Sequence, residues 1–158
     1  MALVVSSSAF VPGGAVPARF SCDGADLSPP LTWSGTPHGA VTFALIVDDP
    51  DAPGGTWVHW VLFNLPASVA ALPEGVPAAG DLRQLGGALQ GRNDFGKLGY
   101  GGPCPPPGRA HRYFFRLYAL DAALALRAGT GRREVESAMR GHVVGEATLM
   151  GTYARGGR

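Results

Sequence analysis

The sequence predicts a mostly β protein with one or two short helices toward the C-terminus. Three observations indicate this class. The 24 glycines and 14 prolines are spread along all 158 residues and are not gathered into one linker. Apolar runs of strand length lie between them, and only one stretch has the spacing of an amphipathic helix. This pattern is typical of many short strands joined by structured loops.

The strand candidates follow one another along the whole chain. The run VTFALIV at 41–47 is continuously apolar, which predicts a central strand covered on both faces. That strand leads directly into Asp48. In chain order, the candidates are 4–6, 31–33, 41–47, 57–65, 111–120 and 143–153.

Helical spacing is convincing only near the C-terminus. In RREVESAMR at 132–140, Val135, Ala138 and Met139 form an i, i+3, i+4 stripe, and Gly141 suits the position after a helix end. We allow for a second short helix at 122–128, which Gly129 would end.

The composition favours one compact domain, residues 1–158. Hydrophobic residues make up 46% of the chain and charged residues 16%. The net charge is +1 without a basic block, which argues against a nucleic-acid-binding stripe and a polybasic membrane anchor. The sequence has neither a signal-like start nor an apolar run of membrane-spanning length. We therefore expect a soluble, cytoplasmic protein.

Cys22 and Cys104 are the only cysteines. Their spacing matches no zinc motif and defines no disulfide framework. The sequence leaves open whether the two thiols meet in the fold.

Three acids lie on a stiff turn in the stretch VDDPDAPGG, which begins at position 47. Asp48, Asp49 and Asp51 are interrupted by prolines, which restrict the backbone and bias the preceding residues toward extended conformations. The carboxylates are therefore held on a rigid loop at the end of a strand.

The strand TWVHWVLFNL that follows contains a histidine. Strict alternation predicts that Trp57, His59 and Val61 share one face and that Val58 and Trp60 share the other. Taken alone, His59 is equally compatible with a hydrogen-bonded core histidine and with a functional side chain.

A second loop and strand repeat this arrangement. The loop GRNDFGKLGYGGPCPPPG at 91–108 is too rich in glycine and proline for regular structure, and its amides could form an anion-binding nest. In the strand AHRYFFRLYALD, His111 and Tyr113 share a face opposite Arg112. If the two strands are neighbours, His59 and His111 approach each other across a pocket.

Two segments, DPDAPGGTWVHWVLFNLP and GYGGPCPPPGRAHRYFFRLYALD, resemble the signature segments of the phosphatidylethanolamine-binding protein family, in particular its bacterial Raf-kinase-inhibitor-like branch. LSPPLTWSGTP and GEATLMGTYAR are also similar to that branch, so the resemblance covers nearly the whole chain. It implies an antiparallel β-sandwich in which a larger and a smaller sheet pack together, with a small anion pocket at one end.

The resemblance also implies a set of ligand-binding residues. Trp57, which shares a face with His59, is predicted to form a wall of the pocket. The sequence departs from the eukaryotic pattern at Cys104, which precedes three prolines and predicts a bulkier rim. The family further implies a cis Ala52–Pro53 bond. The predicted ligand-binding residues are Asp49, Asp51, Trp57, His59, Gly102, Pro103, His111 and Tyr113.

The implied function is binding of a small anion, such as phosphate, a phosphorylated headgroup or a phospho-side chain, without a cofactor. The resemblance also suggests a regulator that inhibits a kinase or protease, and a homodimer. Two alternatives use the same residues: a zinc or iron site of two Asp and two His, and a hydrolase with an Asp–His general base. The sequence contains no GxSxG motif. We therefore expect a binding protein and no enzyme.

Overall fold

The computed structural model describes residues 2–156 and contains two sheets whose named strands all pair antiparallel. The smaller sheet has the order β1-β2-β5, and the larger has the order β6-β7-β4-β3-β8-β9. Short 3₁₀ turns occupy Ala18–Phe20 and Arg83–Leu85. The strands and the helix are β1 (Val4–Ser6), β2 (Leu31–Ser34), β3 (Thr42–Asp49), β4 (Trp57–Pro66), β5 (Ala71–Leu72), β6 (Asp81–Leu82), β7 (Ala88–Gln90), β8 (His111–Leu120), α1 (Arg132–Met139) and β9 (Val143–Tyr153).

The main core lies between the two sheets, and a second apolar cluster covers the outer face of the larger sheet. Leu31 and Trp33 of β2 belong to the core between the sheets, together with Phe43 of β3. On the outer face, Val135 and Met139 of α1 belong to the second cluster. Every residue of β3 is buried, which confirms the central strand predicted from VTFALIV.

The predicted fold class is confirmed, and all six predicted strands are present. Three further strands, β5, β6 and β7, were not predicted. They have two or three residues each, which is too short for an alternating pattern to be recognised. Between residues 2 and 156, the structure contains no helix whose length and hydropathy would suit a membrane span.

The second helix expected at 122–128 is absent, and this segment is irregular. Asn64 on β4 provides the reason. Its side-chain amide donates to the carbonyl oxygen of Leu124 at 2.9 Å, and its side-chain oxygen accepts from the Leu124 amide at 2.7 Å. These are the backbone groups that a helix would use internally, so the segment is held to the sheet without forming a helix.

The strands that contain His59 and His111 are not neighbours. In the larger sheet, β3 lies between β4 and β8. The two histidines therefore project from strands on either side of β3, whose last residue is Asp49.

Asp48 and Asp49 point to opposite faces of the larger sheet. The carboxylate of Asp48 is 1% exposed and accepts from Arg116 of β8 and Arg132 at the start of α1. It therefore attaches the helix to the outer face. Asp49 points to the other face, where the cavity described below is located.

Cys22 and Cys104 form a disulfide with their Cα atoms 5.4 Å apart. This bond answers the question that the sequence left open. It attaches the loop at 91–108 to the segment that follows the first 3₁₀ turn.

Candidate functional site

A cavity of about 230 Å³ opens at the end of the larger sheet where β3 ends and where β4 and β8 begin. The last residue of β3 and the first residues of the other two strands contribute to its wall. The lining residues are Asp49, Ala52, Pro53, Trp57, His59, Phe95, Cys104, Pro105, Pro106, His111 and Tyr113.

A β-bulge in β4 determines where His59 points. Val47 pairs with Trp60 and Asp48 pairs with Val58, so His59 is the extra residue between two regular pairs. Val58 consequently joins the outer cluster, whereas Trp60 belongs to the core between the sheets. The alternation predicted from the sequence holds for Trp57 and His59, which line the same cavity, but it is wrong beyond the bulge, where Val61 joins the outer cluster.

His59 is 3% exposed and is held by the backbone of the second loop. Its Nδ1 lies 2.6 Å from the carbonyl oxygen of Gly101. Its ring meets those of Phe95 and Tyr113 edge to face, at centroid distances of 5.4 and 5.2 Å. Burial lowers the pKa of His59, and this effect outweighs the opposing effects of the Gly101 carbonyl and nearby carboxylates. The imidazole is therefore neutral near pH 7.

His111 is oriented by Asp49. Its Nδ1 lies 2.7 Å from one carboxylate oxygen, and the two side chains are 12% and 4% exposed. The other oxygen of Asp49 accepts from the backbone N–H of Asp51 at 2.8 Å. Both oxygens of this buried acid therefore have donors inside the protein.

Tyr113 contributes a buried donor to the cavity. The residue is 1% exposed, and its hydroxyl has no hydrogen-bond partner within residues 2–156 that meets normal geometric limits. Burial, followed by the charge of the Asp49 carboxylate and by a contact of the hydroxyl with that carboxylate outside normal hydrogen-bond geometry, raises the pKa of Tyr113 well above its usual value. The hydroxyl thus keeps its proton throughout the physiological range and is available to donate it to a ligand.

Aromatic and proline side chains form the apolar part of the wall. Trp57 and Phe95 meet edge to face at a centroid distance of 5.5 Å and are 37% and 41% exposed. They border the mouth of the cavity from β4 and from the second loop. Pro105 and Pro106 contribute to the wall next to the disulfide-bonded Cys104, which agrees with the bulkier rim expected from the sequence.

Three of the predicted ligand-binding residues, Asp51, Gly102 and Pro103, do not line this cavity. Asp51 forms a two-pronged ion pair with Arg112, which lowers the pKa of Asp51 to about 2. The amide of Gly102 donates to Asp26 at 2.8 Å, and the carbonyl of Pro103 accepts from the amide of Cys22 at 3.1 Å. Gly102 and Pro103 thus attach the second loop to the segment after the first 3₁₀ turn, while Asp51 attaches the turn after β3 to β8.

The predicted anion nest is wrong for the glycine amides of the second loop. The N–H of Gly99 donates to the carbonyl of Gly91, and that of Gly101 donates to His59. A Cβ atom at Gly102 would lie 2.2 Å from the carbonyl oxygen of Phe20, so this glycine is needed for close backbone packing. The loop contributes side chains to the cavity, while these amides are used within the protein.

The turn after β3 also differs from the prediction. No cis peptide bond occurs in residues 2–156, so Ala52–Pro53 is trans. The chain reverses at Gly54 and Gly55, which have φ values of 81° and 122°, and the Gly55 amide donates to the Ala52 carbonyl at 3.2 Å. Glycine tolerates these positive φ values without a steric penalty.

Sequence reasoning missed Phe95 as a wall residue, although a signal was present. Asn93 and Asp94, which precede it, organise the loop: the Asn93 side-chain oxygen accepts from the Phe95 and Lys97 amides, and the Asp94 carboxylate accepts from the Val58 amide. An Asn-Asp pair of this kind indicates a fixed turn, and a fixed turn holds the next side chain in place.

Within residues 2–156, His, Cys, Asp and Glu side chains form no group of three or more suited to a metal ion.

Comparisons with known proteins agree with this geometry. The sequence profile of the family described as phosphatidylethanolamine-binding protein matches residues 6–154. A UPF0098 protein of Methanothermobacter thermautotrophicus is 54% identical over 152 residues, which cover 96% of this chain and 99% of that protein. A UPF0098 protein of Aquifex aeolicus is 44% identical over 153 residues, covering 96% of this chain and 88% of the relative.

Two crystal structures have the same fold. A phosphatidylethanolamine-binding protein homologue from Chlamydia trachomatis, CT736, aligns with a TM-score of 0.88 and 40% identity, covering 98% of each chain. YbcL of Escherichia coli, described as a member of the mammalian family, aligns with a TM-score of 0.91 and 34% identity, covering 98% of this chain and 99% of that one. The chain therefore belongs to the phosphatidylethanolamine-binding protein family.

Proposed function

We propose that the protein binds a small oxyanion of the phosphate class in the cavity at the end of the larger sheet. The observation that supports this most directly is the buried hydroxyl of Tyr113, which lies near Asp49 but has no hydrogen bond of normal geometry within residues 2–156. An unpaired buried donor is costly, and a bound oxygen acceptor would remove that cost. His59 and His111 line the same cavity, so several polar groups converge on one small volume.

Asp49 is compatible with an anion because its charge is already engaged. Its oxygens accept from His111 and from the Asp51 amide. When His111 is protonated, the Asp49–His111 pair is neutral, and the second ring nitrogen of His111 becomes a donor. An anion in the cavity then meets donors from His111 and Tyr113, with no unpaired negative charge beside it.

We infer a binding or regulatory role in preference to catalysis. A cavity of about 230 Å³ with an open mouth suits a phosphate or the phosphorylated end of a larger molecule, such as a lipid headgroup or a phospho-side chain. Cys104 lies in the wall and is engaged in the disulfide, which removes the nearest thiol as a nucleophile. Inhibition of a kinase or protease through a phosphorylated segment is the corresponding regulatory proposal.

Replacing Tyr113 with Phe is expected to weaken phosphate binding about tenfold to a hundredfold, because the substitution removes one hydrogen bond to a charged ligand. The ring itself and its packing against His59 are retained. Isothermal titration of inorganic phosphate into the wild type and Tyr113→Phe measures the effect. Tyr118→Phe is the matched control, since Tyr118 does not line the cavity. Equal affinities for the wild type and Tyr113→Phe would contradict the proposal.

Phosphate affinity is expected to rise as the pH falls from about 8 to about 6. Protonation of a histidine in the cavity adds a donor and a positive charge. Anion binding therefore favours the imidazolium form and is accompanied by proton uptake. Because burial lowers the pKa of His59, its own protonation contributes at the acidic end of this range. Calorimetric titration with phosphate or phosphoethanolamine at several pH values tests this trend. Affinity that is flat, or that increases with pH, would exclude it.

A further inference from the structure

The hydrogen bond to Gly101 determines which nitrogen of His59 holds the proton. A carbonyl oxygen only accepts, so the 2.6 Å contact places the hydrogen on Nδ1. In the neutral ring, Nε2 then has a lone pair and no hydrogen. The bond to Gly101 uses Nδ1 and leaves Nε2 free of that contact, and His59 lines the cavity. Neutral His59 therefore presents an acceptor to the ligand.

The surroundings of His59 keep the ring neutral near pH 7. The carboxylates that face it are Asp49 from β3, Asp26 from the segment after the first 3₁₀ turn, and Asp94 from the second loop. They favour the charged ring, but burial has the larger effect and lowers the pKa of His59. Tyr113 of β8 faces His59 with a phenol that remains protonated, because the pKa of Tyr113 is raised.

With His111 protonated, the cavity combines donors with one acceptor; a neutral His111 would present a second acceptor at Nε2 and favour a protonated oxyanion in the same way. Tyr113 donates from its hydroxyl. His111, whose Nδ1 is held by Asp49, donates from Nε2 when protonated. A fully deprotonated oxyanion has only acceptor atoms, so one of its oxygens would oppose the lone pair of His59. An oxyanion with its own proton can instead donate to that lone pair and accept from the other two groups.

We propose that His59 selects oxyanions that carry a proton, so that the protein prefers phosphate and phosphate monoesters to sulfate, sulfate esters and phosphodiesters. Among the ligands proposed above, this restricts a headgroup to a phosphomonoester, because a diester has no proton to donate. This inference rests on the proposed function and adds the protonation state of the ligand. His59 is thereby a specificity-determining residue, whereas Tyr113 stabilises either kind of anion.

Titration of inorganic phosphate and sulfate at pH 7.5 tests the selection, because the two anions have similar size and charge and only phosphate has a proton to donate. We expect phosphate to bind at least tenfold more tightly than sulfate, because in the sulfate complex an oxygen of the anion opposes the lone pair of His59. Affinities that agree within about twofold would overturn the inference and leave the proposed function intact. If neither anion binds, the proposed function fails and the inference fails with it.

Methyl phosphate and methyl sulfate distinguish an esterified ligand from free phosphate. At pH 6, about half of a phosphate monoester retains its proton. A preference for methyl phosphate over methyl sulfate supports the inference for monoesters. If inorganic phosphate binds and methyl phosphate does not, the result supports the inference for free phosphate. A preference for methyl sulfate over methyl phosphate would refute it.

His59→Asn removes Nε2, the acceptor that faces the ligand, and retains a donor near the Nδ1 position that can bond to Gly101; its amide oxygen is too short to reach the position of Nε2. The ratio of phosphate affinity to sulfate affinity should fall toward one in this variant. Tyr113→Phe should weaken the binding of both anions by a similar factor and leave that ratio unchanged. A ratio unchanged in His59→Asn would refute the role of His59. If that variant does not fold, the wild type supplies the test: toward pH 5, protonated His59 becomes a donor, and the preference for phosphate should shrink.

Discussion

Replacing both cysteines, Cys22→Ser with Cys104→Ser, is expected to lower the free energy of unfolding by about 4 kcal/mol. The disulfide joins residues that are 82 positions apart, and a bridge that closes so long a loop restricts the unfolded chain strongly. Urea unfolding of the oxidised wild type and the double variant, compared through their midpoints and slopes, measures this difference.

The reduced wild-type protein is the matched control for the cysteine variant, and the two should unfold at the same urea concentration. Both should still fold, because other contacts join the same segments. Cys22 donates to Pro103 through its amide, Gly102 donates to Asp26, and the Tyr100 hydroxyl donates to Phe20 at 2.6 Å. Identical stability of oxidised and reduced wild-type protein would contradict the expectation.

Asp48→Ala is expected to cost about 3 kcal/mol in the free energy of unfolding. The carboxylate is 1% exposed and accepts from Arg116 through two nitrogens at 3.1 Å and from Arg132 at 2.9 Å. Removing one partner of a buried ion pair leaves the other charges uncompensated. The cost is smaller than for fully enclosed pairs because Arg116 and Arg132 remain 31% and 24% exposed. Urea unfolding with a fluorescence readout measures it.

Asp51→Ala provides the control for Asp48→Ala. Asp51 also forms a two-pronged pair with an arginine, Arg112, but the side chains are 29% and 52% exposed. Exposed pairs contribute about 0–1 kcal/mol. The buried acid should therefore cost several times more than the exposed one, and equal costs would show that burial does not determine the contribution of Asp48.

The strands could be predicted because their signals are local, whereas the two-sheet arrangement was implied only by the family resemblance. Apolar runs between glycines and prolines identify strands, and the uninterrupted run of β3 reflects its burial on both faces. The alternation in β8 also predicted the faces correctly: Tyr113, Phe115 and Leu117 belong to the core between the sheets, while Arg112 lies over Phe114 on the other face.

Features that depend on distant partners could not be predicted. The position of β3 between β4 and β8 follows from pairing along the whole sheet. The disulfide and the pairing of Asp48 with Arg132 join residues that no sequence spacing connects. The loss of the expected helix at 122–128 likewise depends on Asn64, which is about 60 residues away in the chain.

The candidate site was predicted only in part, because some of its residues follow from local signals and others depend on distant partners. Asp49, Trp57, His59, His111 and Tyr113 lie at strand ends that the sequence placed correctly, and all five line the cavity. Asp51, Gly102 and Pro103 belong to loops, where one neighbouring acceptor or donor decides which way a group points. Their partners Arg112, Asp26 and Cys22 could be identified only in three dimensions.

The bulge in β4 makes the site depend on how many residues the strand contains as well as on which residues they are. If Val58, which now pairs with Asp48, were missing, His59 would take its place opposite Asp48 and share its face, which is covered by α1. A single-codon deletion before His59 could therefore remove the histidine from the cavity while every site residue is retained. In evolutionary terms, insertions and deletions in this strand are as consequential for the site as substitutions, and scanning by substitution alone would not reveal that dependence.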